Sequence, residues 1–139
     1  MKQLDEILRL RREIDELRER ISELKAMTQP KAQVISDMPR GGGERKNTIE
    51  EYVIKSEKLR EKLACKLVEF DEKWDGISRT FIKANLTVAQ CTMMEARFRK
   101  AMPWRLCVKH MCNVYPSSKW NEQKLFRMYR NVLYKISKI

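Results

Sequence analysis

The sequence predicts an all-α protein, with a long helical hairpin or coiled coil at its N-terminus and a compact helix-turn-helix module at its C-terminus. Three observations carry this. Apolar residues recur at steps of three and four along most of the chain, the helical period. Thr48 with Glu51 and Thr87 with Gln90 have the spacing of capping boxes, which mark helix starts. The charge is unevenly placed. Residues 97–139 hold 11 Lys/Arg against a single acid, Glu122, and so supply +10 of the net +11. Charged residues make up 35% and hydrophobic residues 42%. That is too apolar for a disordered chain and too charged for one large core, so long helices with exposed sides are expected.

Residues 1–27 read as the first helix. Ile7, Leu10, Ile14, Leu17, Ile21 and Leu24 fall on heptad positions, with Ile at every a and Leu at every d. This pattern suits a parallel two-stranded coiled coil, and hence a homodimer through the N-terminal helix. In that pairing Glu6 faces Arg11 and Glu13 faces Arg18 of the partner, both attractive, while Arg20 faces Lys25, which is repulsive. An antiparallel hairpin with the chain's own second helix satisfies the same residues equally well. Pro30 ends the helix, because the residue before a proline avoids the helical region.

Residues 28–47 read as a linker, with Pro39 and the run Gly41–Gly42–Gly43. The glycines lack the Lys-Ser/Thr pair and preceding strand of a phosphate-binding loop. Residues 48–84 read as a second long helix whose apolar stripe is Tyr52, Leu59, Leu63, Leu67, Phe70, Trp74, Ile77 and Phe81. Gly76 weakens it by about 1 kcal/mol and is a place where it could bend.

Residues 85–139 form the predicted module. One helix opens at Thr87 and runs to about Lys100, with Met93, Met94, Ala96 and Phe98 inward. A short helix follows from Pro103 through Met111, then a turn over Asn113–Ser118. A last helix spans about Ser118–Ile136, with Leu125, Met128 or Tyr129, Val132, Leu133 and Ile136 on one side. Its other side carries Lys119, Gln123, Lys124, Arg127, Arg130 and Lys135. A helix-turn-helix sets its second helix in the major groove of double-stranded DNA. Gln and Asn suit adenine, Arg suits guanine, and Lys holds phosphate. Lys119, Asn121, Gln123, Lys124, Arg127 and Arg130 are therefore the expected DNA contacts.

Further features carry a family resemblance. Asp37-Met38-Pro39-Arg40-Gly41-Gly42-Gly43 precedes a long helix, Arg97-Phe98 closes the first helix of the module, Trp104–Met111 is a Trp-led short helix, and Arg127–Leu133 lies in the last helix. In these the chain resembles a family of small proteins encoded by phages and mobile elements of Gram-positive bacteria. Their C-terminal half is similar to region four of bacterial sigma factors, and they include phage late-gene transcriptional regulators. The resemblance implies a sigma-region-four type of module, transcriptional regulation, and RNA polymerase as a second partner. The chain departs from the family at Cys107-Val108, where Ile-Ala is usual, and in a longer turn. An alternative expectation is a DNA-packaging protein of the small-terminase kind; another is a helical protein–protein adaptor.

Other chemistry is not expected. Cys107 and Cys112, five apart on a predicted helix, do not share a face well, so the four cysteines read as packing residues rather than as a zinc site. His110, the single histidine, has no acid or nucleophile beside it in the sequence. No enzyme activity, cofactor, metal or small-molecule substrate is expected. No charge-free apolar run approaches the ~18 residues of a membrane span, and no signal-peptide pattern is visible. The cytoplasm is the expected compartment.

Overall fold

A computed structural model describes residues 2–28 and 42–139, with side chains over 2–27 and 49–139. The described residues are helical, without strands, in the order α1 (Lys2–Thr28), α2 (Gly42–Lys83), α3 (Val88–Met94), a π-helical turn (Glu95–Arg99), α4 (Trp104–Val114) and α5 (Glu122–Ser137). Most of the expected linker, including Pro30, Pro39 and Gly41, lies outside the described residues. The second helix begins at Gly42 rather than at Thr48. Glu44, Arg45 and Lys46 are good helix formers and extend the helical backbone before the expected cap. α2 runs unbroken through Gly76, where a built Cβ would meet nothing within 4 Å. It ends in a Schellman motif: Leu86 N–H donates to the Phe81 carbonyl (3.2 Å) and Asn85 N–H to the Ile82 carbonyl (3.0 Å). Asn85 takes the left-handed conformation this needs, at φ 60°.

The chain forms two compact units, Met1–Arg11 with Glu69–Ile139, and Arg12–Val68. In the second unit α1 and α2 are antiparallel. Lys66 Nζ meets Glu13 Oε2 at 2.9 Å, Leu17 and Arg20 share a groove with Lys62, and Lys25 shares one with Val53 and Ser56. α1 thus ascends as its neighbours on α2 descend. In the first unit the sense is the same, with Lys73 Nζ 3.2 Å from Glu6 Oε2 and Gln3 beside Gly76 and Ile77. The heptad residues are therefore used within the chain as a hairpin. Glu6 and Glu13 face Lys73 and Lys66 of the same chain.

The core of the first unit holds Leu4, Ile7 and Leu10 of α1 and Phe70, Trp74, Ile77 and Phe81 of α2. It also holds Met93, Met94, Ala96, Phe98, Cys107, Met111, Leu125 and Val132 from the C-terminal helices, all buried. The Leu, Ile, Val, Phe and Met side chains among these each stabilise by roughly 1.5–3 kcal/mol when buried. In the second unit Ile14 is fully buried, whereas Leu17, Ile21 and Leu24 are half-buried.

Candidate nucleic-acid interface

α3 starts as its sequence dictates. Gln90 N–H donates to Thr87 Oγ1 at 3.2 Å, and Thr87 N–H donates to Gln90 Oε1 at 3.0 Å. The helix then widens into the π turn, where Lys100 N–H reaches back to the Glu95 carbonyl at 3.0 Å. Ala101 leaves the turn at φ 53°. The extra residue of a π turn shifts the side-chain register. Phe98 is buried, and Arg97 lies with its guanidinium 5.7 Å from the centre of the Phe98 ring and 5.3 Å from that of Trp104. Arg97 Nη1 donates to the Met102 carbonyl at 3.0 Å. Arg97 Nε is buried with no hydrogen-bond acceptor, and the two ring faces supply the compensating electrostatics.

The aromatic cluster continues to α5. Phe98 stacks on Tyr129 at 5.8 Å, and Trp104 meets Tyr129 and Phe126 edge-on at 5.3 and 5.2 Å. Burial, then the carboxylate of Asp5, pushes the Tyr129 phenol above its ordinary pKa against the opposing pull of Arg97. Burial likewise raises the Cys107 thiol, again opposed by Arg97. Cys107 Sγ lies 3.6 Å from the Met102 carbonyl. Cys107 fits the expectation of a packing cysteine, whereas Cys65 and Cys112 are exposed and do not. Cys107 and Cys112 fall on different sides of α4, one buried and one exposed.

The turn between α4 and α5 is later than the sequence suggested. Asn113 belongs to α4, and α5 starts at Glu122 instead of about Ser118. Tertiary contacts decide this. Trp120 Nε1 donates to the Tyr115 carbonyl at 3.3 Å, the two rings lie 6.2 Å apart, and the Tyr115 hydroxyl shares a hydrogen bond with Thr92 Oγ1 of α3 at 3.3 Å. Asn121 then caps α5, its Oδ1 accepting from Lys124 N–H at 2.8 Å.

The six expected DNA contacts are all in or near α5, but they differ in role. Leu125 and Val132 are buried, which turns Gln123, Arg127 and Arg130 to the opposite, exposed side. Those three share one face. Asn121 is the helix cap, and Lys119 precedes the helix. The Lys124 ammonium sits 4.3 Å from the centre of the Trp120 ring and donates to the Lys119 carbonyl at 3.4 Å. Lys135 is turned inward, and its Nζ donates to Gln90 Oε1 at 2.9 Å. The basic side of α5 therefore ends before Lys135.

The sequence reading omitted three exposed residues. Tyr134 continues the Gln123–Arg127–Arg130 face at helical spacing, and Arg105 and Lys109 stand one turn apart on the exposed side of α4. Extending the helical period from Gln123 finds the first, and taking it outward from Cys107 finds the others. Comparison with protein-family models, curated proteins and solved structures finds no match for this chain. Among the described residues, no helix is long and apolar enough to cross a membrane.

Proposed function

We propose that this protein is a sequence-specific DNA-binding transcriptional regulator of the phage or prophage type, acting in the cytoplasm and docking α5 in the major groove. One observation carries the reading: Gln123, Arg127 and Arg130 share the exposed side of a helix whose opposite side is anchored in a core. Arginine makes paired hydrogen bonds to guanine and glutamine to adenine. Arg105, Lys109 and Lys119 supply phosphate contacts that set the register without reading sequence. The concentration of positive charge in residues 97–139 supports a polyanionic partner. Contact with RNA polymerase, implied by the family resemblance, belongs to the same proposal. No catalytic step is part of it.

The test is binding to duplex DNA drawn from the neighbourhood of the protein's own gene, beside a scrambled duplex, at two salt concentrations. The native duplex binds more tightly, and Arg127→Ala loses about 1–3 kcal/mol of that preference. Lys109→Ala weakens both duplexes alike and flattens the salt dependence. Equal, salt-labile binding to both duplexes contradicts sequence-specific regulation and favours a packaging role. Absence of binding to either contradicts the DNA reading altogether.

A further inference from the structure

Phe126 interrupts the polar surface of α5 with an apolar ring. It is 38% exposed. It stands three residues after Gln123 and four before Arg130, the spacings at which helical side chains are neighbours, and Arg127 follows it directly. Singly exposed apolar residues are common on protein surfaces. Phe126 differs in being held. Its ring meets Trp104 edge-on at 5.2 Å. The Trp104 ring is itself fixed, by Tyr129 at 5.3 Å and by the Arg97 guanidinium at 5.3 Å. Phe126 is therefore a braced apolar surface set beside one amide and two guanidinium side chains.

The charge beside the ring fixes the class of occupant. Arg127 and Arg130 favour a polyanion. The chemistry of the major groove then fixes the group. Most of what the base edges present there is a hydrogen-bond donor or acceptor, and a phenyl ring pairs with neither. Pressing the ring on such an edge would leave polar groups desolvated and unpaired. The apolar group at the groove edge is the C5 methyl of thymine.

We propose that Phe126 is a specificity-determining residue that packs on a thymine methyl group. This rests on the reading of α5 as the major-groove helix, and adds the base that the ring selects. Arg130 lies one helical turn further along, ~6 Å, or about two base steps of roughly 3.4 Å. Arginine selects guanine, so the thymine lies within about two base pairs of a guanine.

The full chain is first used to enrich a site from a random pool of duplexes. The probes are that site and copies in which each thymine in turn is replaced by deoxyuridine, which lacks only the methyl group. The wild type should bind one deoxyuridine duplex about four-fold more weakly. That is the loss of one methyl-sized apolar contact, ~0.8 kcal/mol, at about 1.4 kcal/mol per tenfold. Phe126→Ala should bind that duplex and its thymine parent equally, while still preferring the enriched site to a scrambled one. The wild-type comparison stands without the variant, so a Phe126→Ala chain that misfolds does not remove the test. An enriched site without thymine, or wild-type binding that no deoxyuridine weakens, overturns the inference and leaves the DNA reading standing. A deoxyuridine effect that persists in Phe126→Ala also overturns it, because another side chain then meets the methyl. Failure to enrich any site contradicts the DNA reading itself, and this inference falls with it.

Discussion

Ala101 holds a left-handed backbone at φ 53°, a conformation that costs a non-glycine residue about 1–2 kcal/mol. It stands where the π turn closes, with Met102 N–H reaching the Ala96 carbonyl at 3.0 Å. Ala101→Gly removes the strain, and the loss from a freer unfolded chain, about 0.5–1 kcal/mol, offsets only part of the gain. The variant should be more stable by about 0.5–1 kcal/mol in urea unfolding; a lower midpoint would contradict the geometry. Cys107 and Tyr129 give a second residue-scale expectation. Burial raises both acids in the folded state, so the unfolded chain ionises first as pH rises. Their contribution to stability is complete below the ordinary thiol value of 9.0 and declines as pH climbs beyond it, through the ordinary phenol value of 10.0. Thermal melts across that range should show the fall, and it should be shallower in Cys107→Ala. A pH-independent melt would mean that these groups are not desolvated.

At the scale of the element, α2 is continuous across an exposed glycine with open space around its missing side chain. Gly76→Ala should stabilise the protein by about 0.5–1 kcal/mol, read as a higher melting temperature. A destabilised variant would show that the helix bends there. How legible each element was in the sequence follows from the range of the interactions that set it. The start of α3 is readable because Thr87 and Gln90 satisfy each other's backbone donors three residues apart. The end of α2 is harder to place from sequence, since Asn85 works only with hydrogen bonds to Phe81 and Ile82. The start of α5 misleads. Ser118 and Asn121 are both good caps, and the choice falls to Trp120 and Tyr115, which meet only after folding. The π turn has no periodic signature at all. The heptad of α1 names its own buried side but not the helix opposite, so Glu6 and Glu13 could be matched to their lysines only in the folded chain. For the candidate site, Gln123, Arg127 and Arg130 are recoverable from helical spacing. The commitment of Lys135 to Gln90 is tertiary and stays hidden, whereas that of Lys124 to Trp120, four residues back, is local and depends on where α5 starts.

For the whole molecule, charge and packing differ between parts of the chain. Residues 97–139 concentrate positive charge on a module whose last helix is held by aromatic contacts to Phe98 and Trp104. Residues 12–68 carry 13 basic and 11 acidic residues, and their described apolar residues Leu17, Ile21 and Leu24 are only half-buried. The central claim is that the outward face of α5 meets DNA, and the most direct measurement is an NMR titration of the labelled protein with duplex DNA from the neighbourhood of its gene. The account predicts that amide and side-chain shifts move at Gln123, Arg127 and Arg130 and in the 115–121 turn, while residues 49–68 stay still. A titration in which α5 is silent, whether other surfaces respond or none does, would contradict it.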